Sequence, residues 1–203
     1  MMRPVFALAA IALLAATPAS AESRALSGFT AIEASGRLRV EVSQGPHFSV
    51  DIDGQRADRV VARVDGDTLA LSTGPNWFRS GIDANVRVVM PALTALESSA
   101  GVDLIAHNIN AGALSLEASS GSDLRVDGTC GSLVADASSG ADLHAGGLRC
   151  DNVEVSASSG SVATVHARAA VNVDASSGAD IFVEGEGRLG RVDISSGADL
   201  HHR

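Results

Sequence analysis

Carboxylates recur at two fixed positions in the second half of the chain, and carboxylate oxygens are ligands that calcium prefers. Ca²⁺ takes about six to eight oxygens, and the calcium candidates here are Asp123, Asp142 and Asp180. Because the glycine-rich nonapeptide of calcium-binding β-rolls is absent, we interpret both series as solvated acidic faces and predict no metal and no other cofactor. The series are Glu97, Glu117, Asp136, Asp174 and Asp193, and Asp103, Asp123, Asp142, Asp180 and Asp199, with Ser156 and Val162 replacing the acids in one repeat.

Paired carboxylates can also cleave a glycosidic bond, which is the enzymatic alternative. A retaining glycosidase needs two carboxyl groups ~5.5 Å apart in unequal environments, whereas a regular series gives them equal environments. No long insertion interrupts residues 101–197, and the serines stand in Ser-Ser-Gly turns rather than in a G-x-S-x-G nucleophile elbow. We predict no catalytic residues and no enzyme, with a carbohydrate-active β-helix as the alternative.

The histidines lack the spacing of a metal site. His144 and His201 each stand four residues after the glycine of a Ser-Ser-Gly repeat, but their two copies lie three repeats apart. In a stacked fold that separation is ~14 Å, too far to share one ion. We interpret the histidines as exposed strand or tail residues; they are His47, His107, His144, His166, His201 and His202.

An internal repeat predicts the elements that position these residues. Six copies, such as Asp136-Ala-Ser-Ser-Gly-Ala-Asp-Leu143, follow one another at intervals of 18 to 20 residues. Around each glycine, small or apolar residues alternate with polar ones, which is the period of a β-strand, and a turn in every repeat disfavours helix. The repeat glycines are Gly101, Gly121, Gly140, Gly160, Gly178 and Gly197.

Stacked repeats share one apolar column that a single repeat cannot bury. We therefore predict an all-β fold, a right-handed parallel β-helix with ~19-residue rungs ~4.8 Å apart. The Ser-Ser-Gly turns should align into hydroxyl ladders, with glycine taking backbone angles that other residues resist. Clear repeats cover 93–203, while 24–91 are predicted to begin the same solenoid, with antiparallel strands over its open end and a hairpin turn at Asp65-Gly66.

Cys130 and Cys150 are the only cysteines, and they occupy the same repeat position, ten residues before Gly140 and Gly160. Stacking puts their Cα atoms ~4.8 Å apart, within the span of a disulfide. We predict a structural disulfide between neighbouring rungs; the alternative is a stacked pair of free thiols packed inward. A catalytic redox role is disfavoured because no C-x-x-C motif is present.

The loop of residues 74–81 is the best candidate for a partner-binding surface. It carries Trp77, the only tryptophan, beside Phe78 and Arg79 in a chain otherwise poor in aromatic residues. These residue types supply most interface hot spots. In the alternative, Trp77 and Phe78 fold back to plug the N-terminal end of the solenoid.

The first residues predict export. Arg3 precedes an apolar run over 5–16, and Ala19-Ser20-Ala21 is a small-x-small cleavage site. We divide the chain into a signal peptide, 1–21, and a single β-solenoid domain, 22–203, with no segment that spans a membrane. Loss of Arg3 leaves 14 basic residues, all arginine, against 24 acidic ones, a net charge of −10. This acidity argues against a nucleic-acid partner.

The serial Ser-Ser-Gly copies, the segment Phe29-Thr30-Ala31-Ile32 and a valine-rich strand ending at Met90-Pro91 resemble the bacterial auto-transporter adhesin family with a head GIN domain. The resemblance covers roughly 27–200. It implies a right-handed β-helix in an exported envelope protein with an adhesin role. An autotransporter barrel would need many further strands, so self-translocation is not implied.

Together with the adhesin role that the resemblance implies, these patterns predict a non-enzymatic, adhesin-like protein in the periplasm, at the cell surface or secreted, whose β-helix binds an envelope protein or a glycan. The second hypothesis is an envelope scaffold or stress-associated protein that assembles through its solenoid ends. The strand over 197–202 has a neighbouring rung on one side only, and its free backbone groups favour self-association, unless His201, His202 and Arg203 blunt that edge.

Overall fold

The computed structural model describes residues 22–55, 57–73 and 84–203, which fold almost entirely into β-strands. A single-turn 3₁₀ segment, Ala57–Arg59, lies between β4 and β5. The strands are β1 Glu22–Arg24, β2 Ala31–Ser35, β3 Arg39–Gln44, β4 Ser49–Gly54, β5 Val60–Asp65, β6 Thr68–Thr73, β7 Ala84–Met90, β8 Ala95–Ser99, β9 Asp103–Ala118, β10 Asp123–Ala137, β11 Asp142–Ala157, β12 Val162–Ala175, β13 Asp180–Glu184, β14 Arg188–Ile194 and β15 Asp199–His202.

Strands β9 to β12 form the body of a parallel β-solenoid, which confirms the predicted fold class. Each of these strands pairs in parallel with the next, and equivalent repeat positions are partners, as in Asp123 with Asp142. Each rung has two straight halves, and the bend between them coincides with a register shift, such as the one between Arg125 and Gly128. This bend is therefore a bulge within a continuous strand. Gly128 is needed there because a Cβ atom would collide with the Ile109 carbonyl group.

The inward side chains form one continuous apolar column. Leu104, Leu124 and Leu143 occupy the same place in successive rungs, and each has 0% exposure. Alternation along each strand sends every second residue into this column and the residues between them to the outer faces. Small buried residues such as Ala118 and Ala137 fit a narrow core, in which the two halves of each rung lie close to each other.

Each Ser-Ser-Gly segment is a tight turn with positive φ at two residues. In the third copy, φ is 54° at Ser139 and 68° at Gly140, and the Ala141 N–H donates to the Ser138 carbonyl at 3.1 Å. This is a type I′ turn, and the prediction for glycine is confirmed, although serine adopts the left-handed region as well.

Backbone groups, rather than the predicted hydroxyl ladder, connect the stacked turns. The Gly140 N–H donates to the Ser159 carbonyl of the next rung at 3.1 Å, and the same bond recurs from turn to turn. The hydroxyl–hydroxyl bond near the turns joins the buried Ser98 and Ser122, at 3.1 Å. A positive φ aims the glycine N–H along the solenoid axis, so the backbone satisfies the turn without the side chains.

The N-terminal strands extend the solenoid and cover its end with antiparallel strands, as predicted. β4 pairs antiparallel with β7, and β1 lies along β4. β5 pairs antiparallel with β6 through a hairpin turn at Gly66-Asp67, one residue later than the predicted Asp65-Gly66. Their order in space differs from their order in sequence. The rung of β2 and β3 lies between the rung of β6 and β7 on one side and that of β8 and β9 on the other.

The opposite end of the solenoid exposes its core positions. β14 pairs with β12, and β15 pairs with β13, but neither strand has a second partner among the described residues. Leu189, Val192 and Ile194 are 42%, 38% and 45% exposed, whereas the equivalent residues of the preceding rung are buried. An apolar surface and two free strand edges therefore meet at this end.

Candidate functional site

The first acidic series forms a line on one outer face, and Ser156 interrupts it between Asp136 and Asp174. Glu97 is the register partner of Glu117 and also of Glu33. The repeat copy around Glu33 is too degenerate for that residue to be assigned to the series from the sequence. Burial, followed by the like charges of Glu117 and Glu33, raises the pKa of Glu97. The carboxylates therefore repel one another, and the backbone ladder keeps them in line.

The second acidic series follows the other half of each rung. Among the calcium candidates, Asp123 and Asp142 are register partners, but Val162 lies between Asp142 and Asp180. The Arg125 Nη2 atom lies 3.8 Å from the Asp123 Oδ1 atom. Within the described ranges, no group of three or more His, Cys, Asp or Glu side chains is arranged to hold a metal ion. The arrangement of these described side chains therefore does not support a metal site.

Two histidines, His107 and His201, make side-chain contacts that were not predicted from the sequence. His201 stacks on Phe182 of the preceding rung, with ring centroids 4.7 Å apart and planes at 14°. Phe182, His144 and His201 all stand four residues after a repeat glycine, so the sequence contained the signal for this column of rings. Thr164 occupies the same position between His144 and Phe182.

His107 and Asp127 form a half-buried pair at the bend of β9 and β10. The His107 Nδ1 atom lies 2.7 Å from Asp127 Oδ2, and the Asn108 N–H donates to Oδ1 at 2.9 Å. Desolvation acts to raise the pKa of Asp127, but the Asn108 N–H and the His107 ring outweigh it and lower that pKa. Asn108 has φ of 57°, so this carboxylate stabilises a left-handed residue at the bend.

The predicted disulfide is present. Cys130 and Cys150 are direct register partners in β10 and β11, and a bond joins their sulfur atoms across a Cα–Cα distance of 4.5 Å. Both residues are inward-facing and nearly fully buried. The bond cross-links two successive rungs in the middle of the solenoid.

The predicted partner-binding residues Trp77, Phe78 and Arg79 lie outside the described residues, as does the signal peptide. The described strands on either side are β6, ending at Thr73, and β7, beginning at Ala84. Both belong to the rung nearest the antiparallel end. In the described ranges, no helix is long and apolar enough to cross a membrane.

Parallel strands stacked in register around one apolar column define the class of β-helix proteins. The chain belongs to the family "Putative auto-transporter adhesin, head GIN domain", whose model matches residues 28–187. This finding confirms the resemblance seen in the repeats.

Comparison with solved structures supports the fold through one adhesin of Bacteroides. A "putative adhesin" of Bacteroides fragilis NCTC 9343 is 15% identical, with a TM-score of 0.74 over 93% of this chain and 98% of its own. A "putative lipid binding protein" of Parabacteroides distasonis ATCC 8503 is 14% identical, with a TM-score of 0.47 over 91% of this chain and 96% of its own. At 15% identity, the similarity to the Bacteroides structure establishes the fold alone. No curated protein matches the chain.

Proposed function

We propose that this protein is an exported, non-enzymatic, adhesin-like module that binds an envelope protein or a glycan through its β-solenoid. The observation that carries the proposal is membership of an adhesin family over 28–187. The faces of the solenoid are long and regular, which suits recognition better than a reaction needing unequal groups in a closed pocket.

Export to an oxidising compartment, after removal of residues 1–21, is part of the proposal. The disulfide between Cys130 and Cys150 supports it, because such bonds persist mainly outside the cytoplasm. The periplasm, the cell surface and the medium all meet this condition.

Trp77, Phe78 and Arg79 are proposed as a binding surface on this module. The adjoining rung of β6 and β7 lies at the covered end of the solenoid, so a ligand there leaves the remaining rungs accessible. Aromatic and arginine side chains in one short loop are the composition expected of an anchor.

The test uses residues 22–203, immobilised and presented with a glycan array and with envelope extract. We expect saturable binding that the Trp77→Ala/Phe78→Ala double variant weakens at least about tenfold, as for the loss of a hot spot. The control, Val61→Ala, alters a residue that is 45% exposed on the neighbouring strand β5, and it should bind like the wild type.

Three results decide among the hypotheses. An unchanged melting temperature in the double variant supports a binding loop, whereas a lower one supports the plug. Release of reducing sugars from the array polysaccharides would establish the enzymatic alternative. Absence of saturable binding to either preparation would overturn the proposed function.

A second candidate function is a self-assembling envelope scaffold. The exposed apolar residues Leu189, Val192 and Ile194 on β14 favour it, because a solenoid end with open core positions is a template for another β-structure.

A further inference from the structure

The rung of Gly160 departs from the repeat where the outer surface becomes concave. Val162 stands between its register partners Asp142 and Asp180, so an apolar side chain replaces an acid. Two residues later, Thr164 stands in the column of larger side chains. A cleft of 290 Å³ lies over this rung, lined by His144, Val162, Thr164, Phe182, Val183, Glu184, His201 and Arg203.

The cleft has the thickness of one ring. Phe182 and His201 are one rung apart and stack at 4.7 Å. His144 and Phe182 are two rungs apart, ~9.6 Å, with only the short Thr164 side chain between them. A ring inserted above Thr164 would therefore lie ~4.8 Å from each neighbour, within the range for stacked aromatic pairs.

The surroundings of the cleft select the charge of its ligand. Glu184 lines it, while Asp142 and Asp180 flank its apolar floor, and none of the three belongs to an ion pair within the described ranges. Arg203 is the arginine in the lining. With a net charge of −9 on the whole chain, the field favours a cationic ligand over an anionic one.

We propose that this cleft binds an aromatic side chain flanked by lysine or arginine on an extended segment of a partner protein. The ring would stack between His144 and Phe182 over Val162 and Thr164, and the basic neighbours would face the carboxylates of Asp142, Asp180 and Glu184. This inference rests on the proposed partner-binding function and names the chemistry of one partner.

The test follows the side-chain NMR signals of His144 and Thr164 in residues 22–203 during titration with peptides. The probe is acetyl-Gly-Lys-Trp-Lys-Gly-amide, and its charge-reversed counterpart has glutamate in place of lysine. We expect saturable shifts with the first peptide and at least about tenfold weaker binding of the second, because attraction to the carboxylates becomes repulsion.

Thr164→Phe should complete the ring column and lower the affinity for the lysine peptide at least about tenfold by occupying the site. Val134→Phe is the matched control, because Val134 is 44% exposed in the other half of a rung, and it should bind normally. If Thr164→Phe does not melt like the wild type, Phe182→Ala replaces it, since removing one wall should weaken binding similarly.

Unchanged affinity in both variants would overturn the inference, as would stronger shifts with methyl glucoside than with the peptide. If the wild type still binds its ligands on the array or in envelope extract, only the cleft assignment fails. If it binds nothing in either experiment, the proposed function itself fails.

Discussion

Cys130 and Cys150 show how a repeat position determines a covalent bond. Their equal distance from successive repeat glycines is enough to predict the pair, because a shared position in adjacent rungs means direct register. Their column continues with Ala111 on one side and Ala167 on the other, so the core accepts a small side chain there.

Removing the disulfide should destabilise the protein by about 3 kcal/mol, the chain-entropy cost of freeing a loop of roughly twenty residues. The Cys130→Ala/Cys150→Ala variant tests this by urea unfolding, with alanine matching the neighbouring column residues. Reductant should bring the wild-type curve to that of the variant and leave the variant unaffected. A wild-type curve that reductant does not move would refute a stabilising role.

The Ser-Ser-Gly turn is the element whose conformation the sequence predicted only in part. Glycine with positive φ was expected, but Ser139 and its counterparts also adopt φ near 54°. A type I′ turn requires both angles, so the hairpin-like geometry is imposed by the rung and accepted by serine. Ser139 is exposed, and its side chain therefore contributes little to offset the left-handed backbone.

Ser139→Gly should raise the free energy of unfolding by up to about 1 kcal/mol, because relief of the left-handed strain exceeds the greater entropy of glycine in the unfolded chain. Ser138→Gly is the matched control. Ser138 does not have positive φ, and we expect a loss of about 0.5–1 kcal/mol there. Equal shifts of the two urea midpoints would contradict this account.

Periodicity determined which elements could be predicted. The rungs over 93–203 follow from six near-identical copies, and the strands before Pro91 follow from alternation alone. The position of β2 and β3 between two later-arriving rungs could not be inferred, because their copies are degenerate and no local signal specifies a distant strand partner. The stack of His201 on Phe182 was predictable from shared spacing, but the cleft over Thr164 required the register of three strands.

The whole molecule has two unlike ends. Antiparallel strands cover the core at one end, where Val50, Ile52 and Leu69 are fully buried, whereas β14 exposes apolar residues at the other. The exposed end is also low in charge. Residues 184–203 carry four acidic residues, three arginines and two histidines, so this end is nearly neutral in an acidic chain. Two copies can therefore approach through it with little repulsion.

We expect residues 22–203 to form dimers rather than filaments, because only one end of the described solenoid exposes its core, and an interface between identical ends closes on itself. Sedimentation equilibrium should show a monomer–dimer equilibrium, and Val192→Asp/Ile194→Lys should remain monomeric. Val61→Lys, at the covered end, is the control and should dimerise normally. A wild type that stays monomeric at high concentration would count against both the dimer and the scaffold hypothesis.

The interleaved order of the N-terminal rungs constrains how the chain acquires its structure during folding. Residues 31–44 emerge first, yet they pair with strands contributed by 68–90 and by 95–107. Growth from the first rung in a single direction is therefore excluded, since later strands pair with it on both sides. Rungs 95–175, whose partners are adjacent in sequence, have the lower loop-closure entropy and are the natural nucleus. We expect the amino-terminal segment to pair with β8 and β9 once that nucleus presents them as a template.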